Sequence, residues 1–217
     1  MKSELLSLSS GELDDYFGYD INQIENDLLE TARALRPQGT MNNFGEALHQ
    51  GHQTWVGLDP QTLNTPYSEL VRLCDLLSPV ADETLIDLGA GYGRMGLVLN
   101  LLHPGTNFIG YELVQERVEE GNRILSHHNC SAAELICQDL TDPEFVLPDA
   151  QYFFLYDYGK VPHIRNTLKQ IEEKADAQSF KVIARGKGSR SLIEHEHPWL
   201  CEINPVHHEK NFSIYTF

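Results

Sequence analysis

The chain has 217 residues, enough for one well-filled core with an appended segment, and its 41% hydrophobic and 22% charged composition is that of a globular protein. Its formal net charge of −16 repels phosphate backbones, which disfavours nucleic acid as a partner. No apolar run approaches the roughly 20 residues of a membrane helix, and the acidic start "MKSELLSLSSGELDDYFGYD" is not that of a signal or transit peptide, so a cytoplasmic protein is expected.

Residues 1–80 are expected to form a helical, loop-rich extension. Ile21, Ile24, Leu28, Ala32 and Leu35 recur at helical spacing, and Pro37-Gln38-Gly39 stops that helix. The polar, glycine-rich stretch that follows has no firm periodicity; its Trp55 reads first as packing the extension on the rest, with lining a substrate mouth as the other use. Thr65-Pro66 then opens a second helix, with Thr65 as cap and Pro66 at the first helical position. Leu70, Leu73, Cys74 and Leu77 form its buried stripe, and Ser78-Pro79 ends it.

Beyond residue 80 the pattern alternates. "TLIDL", "NFIGY", "ELICQ", "QYFFLYD" and "FKVIA" read as strands. Helical stripes lie between several of them, Val114, Val118, Gly121 and Leu125 on one and Ile164, Leu168, Ile171 and Ala175 on another. Strands alternating with helices predict an α/β fold, a mostly parallel sheet with helices on both faces. "LCEINPV", "HHEKN" and "FSIYTF" read as a closing antiparallel hairpin. Cys74, Cys130, Cys137 and Cys201 form no C-x-x-C pair, and His127-His128, His195 with His197, and His207-His208 lack the spacing that puts two ligands on one helix face. Reduced thiols and no metal site are expected.

One stretch carries chemistry. In "IDLGAGYGRM", Asp87 ends the first strand, and Gly89, Gly91 and Gly93 turn the chain into a helix beginning near Arg94. Bare backbone lets a ligand approach closely, and a helix N-terminus adds unpaired N–H donors. Glu112, at the end of the second strand in "FIGYELV", is placed to accept hydrogen bonds from both hydroxyls of a ribose. A nucleoside-bearing cofactor follows. The dinucleotide fingerprint G-x-G-x-x-G needs a glycine where Arg94 stands, so a nicotinamide-dependent oxidoreductase is the weaker reading.

"IDLGAGYGR", the acid in "GYELV", Asp139 in "CQDL" and the terminal hairpin together resemble the class I S-adenosylmethionine-dependent methyltransferases, the Rossmann-like seven-strand family. The resemblance covers residues 83–217, within a cofactor-binding domain drawn over 81–217. It implies a seven-stranded sheet and S-adenosyl-L-methionine as cofactor. By the same resemblance Asp87 positions the methionine part, and Gly89, Ala90, Gly91 and Gly93 lie under the cofactor. Glu112 with Leu113 binds ribose, and Asp139 with Leu140 holds adenine. The segment "QTLNTPYSELVRLCDLL" is similar in flavour to the seven-strand protein-lysine methyltransferases, in which residues ahead of the first strand close over the cofactor. Thr65, Tyr67 and Glu69 are the matching positions, and Tyr67 enters the expected cofactor set. Acceptors rank as protein side chain, then small molecule, then RNA.

Methyl transfer needs an aligned and often deprotonated nucleophile. "FFLYDYGK", at the end of the fourth strand, offers Asp157 to orient the acceptor or take its proton, with Tyr158 beside it. No "DPPY"-type signature of base methylation is present. Tyr156 and Lys160 match the Y-x-x-x-K pair of short-chain dehydrogenases, but Gly159 and Pro162 oppose the single helix that pair requires. Lys181, Arg185, Lys187 and Arg190 form a basic island, read as local charge compensation, with an acidic substrate as the other use. A binding protein that keeps the nucleoside site but transfers nothing is the rival outside enzymology.

Overall fold

Apolar residues facing both sides of the longer strands build two cores, one on each face of a single sheet. The computed structural model describes residues 2–35, 54–175 and 179–217. The expected helix stop at Pro37-Gln38-Gly39 lies outside the described residues. The strands are β1 (Thr84–Leu88), β2 (Asn107–Glu112), β3 (Ala133–Cys137), β4 (Tyr152–Tyr156), β5 (Lys181–Arg185), β6 (His207–His208) and β7 (Phe212–Thr216), in the order β3-β2-β1-β4-β5-β7-β6. Neighbours from β3 to β5 pair in parallel, whereas β7 runs antiparallel to both β5 and β6. Asp87 stands opposite Gly110 and Phe154, so the ends of β1, β2 and β4 form one edge.

The helices among the described residues are α1 (Lys2–Ser7), α2 (Ser10–Phe17), α3 (Ile21–Leu35), α4 (Pro60–Leu63), α5 (Tyr67–Leu77), α6 (Arg94–Leu102), α7 (Gln115–His127), α8 (Val161–Glu172), α9 (Lys187–Glu196) and α10 (Trp199–Glu202). Leu85, Phe154, Ile183 and Ile214 point to one face. There they share a core with Leu5 and Leu13 of the extension, Leu70 of α5 and Val98 of α6. Ile86, Leu88, Phe153, Leu155 and Val182 point to the other, against Ile164 and Leu168 of α8 and Ile193 of α9. The period of two in "TLIDL" and "YFFLY" is this two-sided burial. The extension therefore packs into the sheet's own core.

Leu135 of β3 is received by three glycines. A Cβ on Gly93, Gly110 or Gly121 would fall 2.9, 2.4 or 2.0 Å from one of its methyl carbons. Those glycines bring the turn before α6, strand β2 and helix α7 down onto one side chain.

Three sequence expectations change. Helix α5 begins at Tyr67 with Pro66 at the cap position and no side-chain cap, so Thr65 does not cap it; its predicted end holds, with Ser78 left-handed at φ 45°. "LCEINPV" holds α10 and no strand, and the first hairpin arm is only His207–His208, inside the predicted turn. Pro205 has no N–H for a ladder, which defers pairing to His207. Finally, α9 rises directly from the basic island, where Gly186 and Gly188 hide its start from a pattern reading.

Candidate functional site

The turn after β1 is pinned to β2, with the Gly89 and Ala90 amides both donating to the Tyr111 carbonyl at 2.9 Å. Gly89 takes φ 87°, and a Cβ there would stand 2.3 Å from Cβ of Tyr158, so this position admits only glycine. Above the turn opens a cleft. Of the sequence-expected residues, Asp87, Gly89, Ala90, Gly91, Glu112, Leu113, Asp139 and Leu140 all line it. Gly93 does not; it lies beneath, against Leu135.

The carboxyls of this cleft sit in different environments. Glu112 accepts from three backbone amides, Gly91 through Oε2 at 2.9 Å, and Leu113 and Val114 through Oε1 at 3.0 Å each. Asp139 Oδ1 accepts from the amide of Thr141 at 2.8 Å and from its hydroxyl at 2.7 Å, which fixes the chain after β3. Asp87 is buried, and among the described residues no hydrogen bond reaches its carboxyl. Burial first, and the Glu112 charge second, push its pKa well above the usual carboxylate range.

Two buried arginines tie the extension to this site. Arg94, the first residue of α6, meets Asp14 of α2 in a two-pronged pair, through Nε to Oδ1 at 2.9 Å and through Nη2 to Oδ2. Its Nη1 is buried without a partner. Arg117 of α7 meets Glu25 of α3 in the same way, at 2.8 and 3.1 Å, and its Nη2 also donates to the Trp55 carbonyl at 2.7 Å. Tyr92 donates to the same Glu25 at 2.7 Å. Glu25, Arg94 and Arg117 line the cleft. None of these pairs entered the sequence reading. A signal existed: Glu25 falls on the buried stripe of Ile21, Leu28 and Ala32, and Arg117 on that of Val114, Val118 and Gly121.

Four expected roles are corrected by geometry. Tyr67 is fully buried off the cleft, and its hydroxyl donates to Asp14 at 3.0 Å; it belongs to the Arg94 cluster rather than to the cofactor wall. Thr65 and Leu70, from the same segment, do reach the cleft. Asp157 accepts from the Gly188 amide at 3.1 Å and from the Ser189 amide and hydroxyl at 2.7 Å each. It caps α9 from outside the helix, off the cleft wall, so it does not face an acceptor. Tyr158 lines the cleft, but its hydroxyl is bonded to Thr167 and donates to the His163 carbonyl at 3.3 Å, and burial pushes its pKa up to about 12. That hydroxyl is a poor base. Trp55, expected to pack, is half-exposed on the cleft wall.

Within the basic island, Arg185 meets an acid. Arg185 pairs with Glu69 at 2.6 Å and lies 4.0 Å over the Tyr156 ring, while Arg190 donates to the Lys210 carbonyl at 3.2 Å. Tyr156 ends β4 and Lys160 precedes α8, so the two sit on different elements.

No protein-family model matches the chain, and no curated protein sequence does. Solved structures match it by shape. An RNA methyltransferase from Salinibacter ruber, in complex with S-adenosyl-L-homocysteine, is 18% identical with a TM-score of 0.53, over 71% of this chain and 92% of that one. A precorrin-6Y C5,15-methyltransferase from Geobacter metallireducens is 13% identical with a TM-score of 0.56, over 74% and 92%. The C-terminal domain of the same-named enzyme from Rhodobacter capsulatus is 15% identical with a TM-score of 0.51, over 73% and 91%. With its sheet order, its antiparallel seventh strand and a glycine turn at the tip of β1, the chain has the fold of the class I S-adenosylmethionine-dependent methyltransferases.

Proposed function

We propose that the chain is an S-adenosylmethionine-dependent methyltransferase whose cofactor lies over the glycine turn. The Glu112 carboxylate on the Gly91 amide carries this reading. In a dinucleotide site such amides turn to the pyrophosphate. Here one already holds the Glu112 carboxylate. A diphosphate is repelled there, whereas a ligand with a sulfonium and an ammonium gains. Asp87, buried with no hydrogen-bond partner among the described residues, fits the methionine ammonium. Glu112 faces the ribose diol, and Asp139 with Leu140 takes adenine. When bound, the cofactor supplies an electrophilic methyl carbon. Residues 1–80 act as the cap of the 81–217 unit, with Trp55 and Thr65 excluding water from the cleft.

The cleft lining also includes Leu63, Phe154, Tyr156, Tyr158 and His163, with Tyr158 against Gly89. His163 is the imidazole on that wall and replaces Asp157 as the group that takes the acceptor's proton. Arg94 and Arg117 are both paired to carboxylates, which supports a protein side chain or small molecule over phosphate-rich RNA. The matched folds serve acceptors as different as RNA and precorrin, so fold alone selects none of these. Among the described residues no helix is long and apolar enough to cross a membrane. The unpaired thiols of all four cysteines support a cytoplasmic site of action.

Calorimetry with S-adenosylmethionine, S-adenosylhomocysteine and NAD tests the reading. Micromolar-range binding of the first two and none of the third is expected; the reverse sinks it. Binding an ammonium needs Asp87 ionised, and burial holds it protonated. Affinity therefore tightens as pH rises through the raised value, with a proton released, and Asp87→Asn flattens this dependence. On stability the shift has the opposite sign. The protonated folded form stabilises at low pH, and that contribution is lost as pH rises through the folded value. Transfer of label from the cofactor into protein, metabolite or RNA fractions identifies the acceptor; binding with no label in any fraction supports the non-catalytic rival. Asp157→Ala should cost about 1–2 kcal/mol in urea unfolding, the range of a lost cap, and leave S-adenosylhomocysteine affinity unchanged.

A further inference from the structure

We propose that Arg117 is a positioning residue that holds Glu112 aimed at the ribose diol, and that Glu25, from the N-terminal extension, sets Arg117. The proposal rests on the cofactor reading above and adds to the site two residues that do not belong to the glycine turn or the strand-tip acids.

A guanidinium is planar, and its donors are fixed relative to one another. Glu25 takes Nε and Nη2, and the Trp55 carbonyl takes a further proton of Nη2. One edge of the plane is thereby clamped by the extension. The remaining nitrogen, Nη1, is presented 4.0 Å from Oε1 of Glu112. All three side chains are nine-tenths buried or more, so their charges are weakly screened. Without Arg117, Glu25 loses its guanidinium partner and Glu112 loses the nitrogen that faces its Oε1. The three amides on Glu112 fix its position, but they do not neutralise the second acid nearby. Arg117 does both. Lysine in its place offers one point charge, which cannot hold Glu25 and face Glu112 in a fixed plane.

The test compares S-adenosylhomocysteine with its 2′,3′-dideoxy analogue by calorimetry. The intact chain should favour the diol by about tenfold or more, the scale of hydrogen bonds to an ionised group. Arg117→Lys and Glu25→Gln should each cut that preference to about threefold or less by weakening the diol ligand alone, since coupled groups lose their shared effect together. Glu25→Gln keeps the shape of the side chain and serves if Arg117→Lys does not fold. Equal weakening of both ligands, with the preference intact, assigns these residues a purely structural role and overturns the proposal. Failure of the unaltered chain to bind S-adenosylhomocysteine is a separate outcome, and it removes the cofactor reading itself.

Discussion

Asp14→Ala is expected to lower the unfolding free energy by about 3–5 kcal/mol, the cost of stripping one partner from a buried ion pair. The Arg94 and Asp14 side chains are only 3% and 6% exposed, so neither charge has water to fall back on. Arg94 also opens α6, where the positive end of the helix dipole makes a bare cation still less welcome. Two further donors lose their acceptor, the Tyr67 hydroxyl at 3.0 Å and the Gln61 amide at 2.8 Å. Urea unfolding measures the loss. The double change Asp14→Ala with Arg94→Met should recover much of it, because the buried charge disappears with its partner. A single-variant cost below about 1 kcal/mol would mean that the pair is hydrated and worth no more than a surface bridge.

The second large effect falls on binding. Glu112→Ala should weaken S-adenosylmethionine by about 1.5–3 kcal/mol, the worth of hydrogen bonds to a charged group. The same change removes the acceptor of the Gly91, Leu113 and Val114 amides. Glu112→Gln keeps much of that scaffold and isolates the charge. Calorimetry of both variants separates loosening of the turn from loss of the ribose contact. Unchanged affinity in the alanine variant would place the ribose elsewhere.

The strand tips were legible because two local rules agree on them. Period-two burial locates β1, β2 and β3, and ligands in open α/β sheets collect at the carboxyl ends of strands. Asp87 and Glu112 follow from those rules, Asp139 was added by the family resemblance, and the structure brings all three to one cleft. The errors arose where direction and distance decide. Tyr67 and Asp157 have suitable chemistry at suitable places along the chain. One turns inward to Asp14 and the other backward onto α9, which no periodicity records. The Asp14–Arg94 and Glu25–Arg117 pairs join residues 80 and 92 positions apart, beyond any local pattern. Glu25 and Arg117 were each readable as a charge on an otherwise apolar helix face, but their pairing was not. The hairpin's first arm was misplaced because "LCEINPV" has strand-like composition, yet Pro205 deprives it of a donor.

Leu135 does not line the cleft, yet it lies beneath the Gly93 end of the turn. With its methyls seated against Gly93, Gly110 and Gly121, this side chain props the loop from below. Stiffness of the ligand platform is thus set a strand away from any ligand. Were that prop trimmed, the loop would have to be frozen by the arriving molecule, and each binding event would carry an entropic toll that the intact protein settles once, when it folds.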